Sequence, residues 1–406
     1  MGKNAIVGQS GGPTSVINSS LAGVYRAATS GGAKRVYGMR NGIEGLLAGR
    51  TVDLSEYIKS DLDVELLKRT PSSFLGTCRY KLPSEEGSPE VFSRIFEILA
   101  ALDVGYFFYI GGNDSMDTVA KLSVYAEKKD YAIRIMGVPK TIDNDLVATD
   151  HTPGFGSAAK FVSTVMTEIV RDCAVYTTKA VTIVEVMGRD AGWLTASAGV
   201  GKALGIDAPD LVYLPERSFS MDEFFASLRV AFEKHPNVVV AVSEGIRFAD
   251  GRYVGEGTQS GSTDVFGHKY LAGTAKALEL AVKAEFGCKV RSVELNLPQR
   301  CGAHIASKTD LDESVAIGAE AVRVAADEGA NGEMVLFERL SSTPYEYVVK
   351  HKKVSEIANA VRCVPDEYIN AEGNHITDAC CEYILPLIEG ESYPEYERGL
   401  PKYIVI

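Results

Sequence analysis

Short apolar runs recur along this chain, each followed by a glycine-containing polar turn and then by a helix-length segment. Residues 5–7 pass through Gly8-Gln9-Ser10-Gly11-Gly12-Pro13-Thr14 into a helical pattern over 16–28, and a short strand is predicted over 36–39. Residues 104–110 (Val-Gly-Tyr-Phe-Phe-Tyr-Ile) pass through Gly111-Gly112-Asn113-Asp114-Ser115-Met116-Asp117 into a helix predicted over 118–128. The run 133–138 ends in Pro139-Lys140-Thr141-Ile142-Asp143-Asn144-Asp145, with a helix to follow over 157–171. Further on, 180–186 ends in Met187-Gly188-Arg189 before a helix to 205, and 237–242 ends in Ser243-Glu244-Gly245. A helical pattern covers about 270–286; the strand 291–297 then closes on Pro298-Gln299-Arg300-Cys301-Gly302, before a helix over about 313–329. Strands apolar on both faces belong to covered parallel sheets. Their alternation with helices predicts an α/β fold of doubly wound, mainly parallel sheets.

Pattern breaks near 146–156 and 296–302 predict two lobes with a cleft between them: residues 1–148 plus about 299–350, and residues about 149–298. Residues about 351–406 are expected to pack on the lobes as a C-terminal extension. This tail is rich in tyrosine, and its Lys350-His351-Lys352-Lys353 run reads as a solvated face.

Composition narrows the function. A net charge of −12 argues against nucleic-acid binding, whose affinity comes mostly from neutralising phosphates. A few local cations can still dominate one cleft. Without a run of 18 apolar residues or an apolar leader core, no membrane association is expected and a cytoplasmic location is. Seven irregularly spaced cysteines read as reduced thiols. The six histidines lack HExxH-like spacing, so zinc is not expected.

Ligands of open α/β sheets bind outside the carboxyl ends of the strands, and six successive ends here carry glycine with polar residues. Glycine-rich turns entering helices offer free N–H groups to phosphate. Individually these segments have plainer readings. Residues 139–145 would suit a turn, Asp114 a helix N-cap, and Gly76-Thr77-Cys78-Arg79-Tyr80-Lys81 a solvated loop.

Taken together, the motifs Gly11-Gly12, Gly111-Gly112-Asn113-Asp114-Ser115, Thr141-Ile142-Asp143-Asn144-Asp145, Met187-Gly188-Arg189, Ser243-Glu244-Gly245 and Gln299-Arg300 resemble those of the phosphofructokinases. They occur in the family's order, and the tail is similar to that of the longer, diphosphate-using branch. The resemblance implies reversible transfer from diphosphate to the C1 hydroxyl of fructose 6-phosphate, with Asp143 as general base. It also implies that Thr141 and Asp145 touch the reacting groups, and that Gly11, Gly12, Arg79 and Lys140 face the donor. The sugar phosphate would meet Thr141, Ile142, Asp143, Met187, Gly188, Arg189, Glu244, Arg291 and Arg300. The implied partners are these two small molecules, the implied cofactor is Mg2+, and the implied assembly is a homodimer or homotetramer.

Two positions bear on the donor. ATP-using members carry glycine where Asp114 and Lys140 stand. An aspartate facing an α-phosphate at ~4 Å would repel it by about 4 kcal/mol at an effective dielectric of ~20, nearly a thousandfold. Asn113 replaces the family's magnesium-binding aspartate with a weaker neutral ligand, leaving Asp145, water and diphosphate oxygens to hold the ion. Leu297 replaces a His or Tyr at the sugar phosphate. Ala180, beside Lys179, stands in place of an arginine that reaches a neighbouring subunit. An ATP-dependent enzyme and a non-catalytic sugar-phosphate sensor are the competing readings.

Overall fold

The computed structural model describes residues 1–206, 209–256, 273–357 and 360–406. Along the chain come β1 (Asn4–Gln9), β2 (Val36–Met39), β3 (Thr51–Asp53), β4 (Val104–Gly111) and β5 (Arg134–Pro139). They are followed by β6 (Ala180–Val186), β7 (Leu211–Tyr213), β8 (Ser218–Phe219), β9 (Asn237–Ser243), β10 (Arg247–Phe248) and β11 (Lys289–Glu294). The chain then returns with β12 (Glu333–Ser342) and β13 (Tyr345–Lys353). One sheet has the order β13-β12-β5-β4-β1-β2-β3, parallel except for its two edge strands. The other, β11-β6-β9-β7, is wholly parallel.

Period-two alternation explains the first sheet's two covered faces. Phe108 and Ile110 of β4 pack with Val7, Met136 and the helices Ile17–Ser30 and Lys308–Arg323, whereas Phe107 and Tyr109 pack with Ile6, Ile135 and the helices Pro89–Ala101 and Asn113–Lys128. Each fully buried phenylalanine contributes about 1.5–3 kcal/mol, so the central strand is held rigidly from both sides. In the second sheet Val184 and Val186 face the helix Phe155–Cys173 and Trp193. Val181 and Ile183 face the helices Met221–Lys234 and Thr274–Phe286. Ile369, Cys380, Tyr383 and Ile384 of the C-terminal segment enter the same core cluster as Trp193.

Several element boundaries differ from the sequence expectation. The helix expected from 118 starts at Asn113, because Gly112 occupies the N-cap position with no side-chain cap bond. Asn113 and Asp114 are therefore first-turn residues, and the capping reading of Asp114 fails. The helix expected from 313 begins at Lys308, capped by Ser307, which accepts from the Asp310 N–H. The run 350–353 ends an edge strand with its three lysines exposed, as a solvated face requires. Lys350 and Lys353 bond Glu338 and Glu333 on the neighbouring strand, and charged residues suit an edge. The strand expected over 291–297 ends at Glu294, before the short helix Pro298–Cys301. For the helix expected over 270–286, residues 270–272 lie outside the described residues; Thr274–Phe286 is helical. The helices Asp61–Arg69, Pro89–Ala101 and Met221–Lys234 were not anticipated. All seven cysteines are free thiols, and no helix among the described residues is long and apolar enough to cross a membrane.

Candidate active site

The carboxyl ends of β1, β4 and β5 in one sheet and of β6 and β9 in the other deliver most of the residues singled out above. Pairing of Gly111 with Pro139 sets the two first-sheet turns side by side. The Lys140 N–H then donates to Gly111 O at 2.9 Å. Lys140 is 2% exposed, and its Nζ donates to Gly12 O at 2.5 Å. Gly11 adopts φ +76°, and a Cβ there would stand 3.3 Å from Lys140 Nζ. A Cβ on Gly12 would stand 3.6 Å from Arg300 Nη1. At Gly11 the missing side chain leaves room for the Lys140 ammonium, whereas at Gly12 a Cβ would make only ordinary contact with Arg300. Burial pushes the Lys140 ammonium down to about 8; Asp143 and Asp145 oppose this, while Arg300 and Arg79 reinforce it.

Arg79 is exposed, but its segment is not a detached loop. Gly11 N donates to Cys78 O at 3.2 Å, and Thr77 Oγ1 donates to Gly11 O at 2.6 Å. This corrects the solvated-loop reading of 76–81.

The carboxylates come from the turn after Lys140. The Asp143 N–H donates to Thr141 Oγ1 at 3.1 Å, and the Thr141 hydroxyl also bonds the Asp145 carboxylate. Burial, then repulsion from Asp145, hold the Asp143 carboxyl well above the usual range, against the pull of Lys140 and Arg189. Burial likewise raises Asp145. Ile142 buries its side chain in the core cluster that contains Phe155 and Trp193. Only its main chain is therefore available to a ligand.

Across from these, Gly188 N donates to Glu244 Oε1 at 3.3 Å, and Met187 N donates to Gln299 Oε1 at 3.2 Å. A Cβ on Gly245 would lie 1.9 Å from Arg189 O, so only glycine lets these two strand ends meet. Burial pushes the Glu244 carboxyl up to about 8, the Gly188 N–H opposes this, and Asp143 adds to it. The mutual influence of Asp143, Arg189, Glu244 and Lys140 puts all four in one electrostatic cluster.

Asn113 Oδ1 is buried without a hydrogen-bond partner, a costly state that a ligand would relieve. Asp114 is exposed in the same helical turn and makes no ion pair with Lys140 among the described residues. Arg291 is not brought to the cluster. It pairs with Thr182, five residues before Met187 along β6, which at a strand's rise is roughly 16 Å away. Leu297 is 53% exposed. The Gln299 acceptor was legible only as part of a motif, and two tail residues that hold the 141–145 turn, Arg362 and Tyr383, carried no local signal at all.

Parallel strand ends from two sheets, with a buried lysine, two glycines and a pair of raised carboxyls, define a phosphoryl-transfer class of site. The phosphofructokinase family model matches residues 4–325, and the chain belongs to that family. Among its relatives is pyrophosphate–fructose 6-phosphate 1-phosphotransferase of Halomonas elongata, 40% identical over 403 residues, covering 98% of this chain and 95% of the relative. The protein of the same name from Xanthomonas campestris pv. campestris is 41% identical, covering 99% and 95%. The crystal structure of a pyrophosphate-dependent phosphofructokinase from Nitrosospira multiformis superposes with a TM-score of 0.89 at 39% identity, covering 100% of this chain and 96% of that one.

Proposed function

We propose that this protein reversibly transfers a phosphoryl group from diphosphate to the C1 hydroxyl of fructose 6-phosphate, giving fructose 1,6-bisphosphate and phosphate. The observation that carries the reading is Lys140, a buried ammonium on Gly12 O beside two carboxyls. The names of the full-length relatives support the same donor and acceptor.

Asp143 takes the proton of the C1 hydroxyl as its oxygen attacks one phosphorus of diphosphate. The bond from that phosphorus to the bridging oxygen breaks, and phosphate leaves. A positioned base contributes about 10²–10⁴-fold. A raised carboxyl suits this task because a base whose proton affinity lies nearer neutrality takes up the hydroxyl proton more readily once it is ionised. Lys140, Arg79 and the N–H groups of the Gly11-Gly12 turn neutralise the donor, where preorganised charge counts most. Arg300, at Gly12, sits where sugar phosphate and donor phosphate would meet. Arg189 and Glu244 with the Met187-Gly188 main chain hold the sugar, and Thr141 and Asp145 orient the reacting oxygens. Asp114, exposed at the helix start, would face an α-phosphate and disfavour ATP.

Phosphofructokinases generally use a divalent metal, and Mg2+ is the ion we propose. No group of three or more His, Cys, Asp or Glu among the described residues converges on a metal site. The orphaned Asn113 Oδ1 and the Asp145 carboxylate fit a site completed by diphosphate oxygens. There the ion would supply charge neutralisation to the phosphates.

In this reading residues 1–148 with about 299–350 form the donor lobe, about 149–298 the sugar lobe, and about 351–406 an extension. The protein works in the cytoplasm as a homodimer or homotetramer. Arg291, exposed on the edge strand β11, would meet a sugar phosphate only in a neighbouring copy.

Sugar phosphorylation assayed with diphosphate and with ATP tests the proposal. Diphosphate is expected to support turnover and ATP to be poor. Preference for ATP overturns the donor, and turnover with neither overturns the enzyme in favour of a sensor.

A further inference from the structure

The turn that carries Asp143 and Asp145 is tied at its middle to a segment more than two hundred residues away. Asn144 sits between the two aspartates at φ +53°, with its side chain fully buried. Its Oδ1 accepts from Thr152 N at 3.0 Å. Its Nδ2 donates to the hydroxyl of Tyr383 at 2.9 Å, across 239 residues of sequence. That hydroxyl in turn donates to Asp150 O at 2.7 Å. One phenol oxygen therefore bridges the two ends of the segment that leads from the aspartates to the next helix.

A second tie runs beside the first. Arg362 N donates to Asp145 O at 2.8 Å, within an antiparallel bridge of Leu146 with Val361. The Arg362 guanidinium lies 4.5 Å from the Trp193 ring centroid and donates to Asp150 O and, at 3.3 Å, to Tyr383 OH. Trp193 Nε1 closes the circuit by donating to Arg362 O at 3.0 Å. The Tyr383 ring is 5% exposed and packs 5.1 Å from Trp193. The far tail thus clamps the main chain that follows Asp143, from Asn144 to Asp150, through hydrogen bonds about a fully buried Asn144 side chain, where leaving one partner unmet costs most.

We propose that Tyr383 is a positioning residue for the reaction: through Asn144 its hydroxyl sets the orientation of the Asp143 and Asp145 carboxylates. It touches no reacting group itself. Asparagine tolerates the left-handed region better than most residues other than glycine, so the Asn144 side-chain bonds rather than backbone strain fix the shape of the turn. Here the Asn144 side chain is held at both its oxygen and its nitrogen. Removing the Tyr383 hydroxyl leaves Nδ2 without its partner and frees the turn to relax, moving the aspartates while the Gly11-Gly12 turn and the Met187-Gly188-Arg189 turn stay in place. Misplacing a base by about 1 Å costs on the order of 100-fold in rate.

The inference rests on the phosphoryl-transfer reading for its kinetic arm but not for its structural one. Tyr383→Phe keeps the ring and deletes only the hydroxyl. Tyr368→Phe is the control, because Tyr368 packs on the same rings, 6.0 Å from Trp193 and 5.6 Å from Tyr383, and lies outside the clamp. Turnover with diphosphate and fructose 6-phosphate is measured together with amide hydrogen exchange of the peptide spanning 139–150. Tyr383→Phe is expected to lower kcat about 10- to 100-fold, to leave both KM values within about twofold, and to speed exchange in that peptide. Tyr368→Phe is expected to leave all three near wild type. An unchanged kcat and unchanged exchange in Tyr383→Phe overturn the proposal, as does an equal loss in Tyr368→Phe, which would mark a general packing defect. If the wild type turns over neither donor, the reaction assignment falls, and the exchange comparison still decides whether Tyr383 holds the turn.

Discussion

The two walls of the proposed site are built from the same kind of element, a parallel strand ending in glycine and polar residues, yet they bury opposite kinds of ionisable group, an ammonium and a carboxyl. On the first sheet the buried group is the Lys140 ammonium on Gly12 O; on the second it is the Glu244 carboxyl under Gly188 N–H. Burial opposes ionisation of both, lowering the lysine to about 8 and raising the glutamate to about 8. A wall with a buried ammonium, and with Arg79 and Arg300 beside it, suits a polyanion. A wall with a readily protonated carboxyl and main-chain donors suits sugar hydroxyls. Asp143 lies between and feels both, since Lys140 pulls its proton affinity down while burial and Asp145 push it up.

The largest effect is expected where the walls meet. Asp143→Ser should lower kcat by about 10³-fold with modest change in either KM, as read by steady-state kinetics; turnover within tenfold of wild type would remove Asp143 as the base. On the first wall, replacing Asp114 and Lys140 together by glycine should lower kcat/KM for diphosphate by on the order of 10²–10³-fold and relieve the exclusion of ATP. Wild-type diphosphate activity in that variant would show the two walls to be less different than their charges imply. On the second wall, Glu244→Gln should raise KM for fructose 6-phosphate by no more than about fivefold, the value of one neutral hydrogen bond, because burial already favours the protonated carboxyl that an amide imitates, and leave KM for diphosphate unchanged.

The pH profile separates the contributions more finely. A general base at Asp143 has to be deprotonated to act, so under the proposed mechanism activity should fall on the acid side with a midpoint well above the ordinary aspartate value of about 4. Lys140→Met removes a cation that lowers Asp143 and should move that limb to higher pH; Asp145→Asn removes a repulsive charge and should move it lower. The alkaline limb, near 8 in wild type, should be lost with Lys140.

The smallest effect concerns stability away from both walls. Burial pulls the His151 imidazole down, but Glu313 and Asp150, each at 2.8 Å, outweigh it and raise it to about 9. A raised folded value means that this stabilisation is complete below about 6.5 and is lost as pH rises through about 9. Urea midpoints of wild type and His151→Gln should therefore differ at pH 6 and converge by pH 10.

Much of this was legible in local sequence, and the reason is the same at each place. The runs that became β4, β5, β6 and β9 are apolar on both faces, so burial alone specifies them, and a glycine-punctuated turn at a strand's carboxyl end marks a site wherever the sheet is parallel. Two kinds of feature escaped. The helix Asp61–Arg69 did carry a signal, a Ser60–Asp63 capping box ahead of Val64 and Leu67 one turn apart, but it is short; the edge strand Tyr345–Lys353 has mixed polar faces with little periodic signal. Arg291, read as a ligand of the cleft, stands on the right strand but at the wrong level of it, since register with Thr182 is a property of pairing and not of composition.

By itself the sequence determined the chemistry on offer: an α/β fold, two aspartates after a lysine at one strand end, and a Met-Gly-Arg turn at another. Only the tertiary structure decided what state those groups are in and what holds them. The displaced proton affinities of Lys140, Asp143 and Glu244 come from burial among one another, which no spacing encodes. The grip of Tyr383 on Asn144 is a contact across 239 residues. Charges and hydrogen bonds act through distances in space, and folding alone sets those distances.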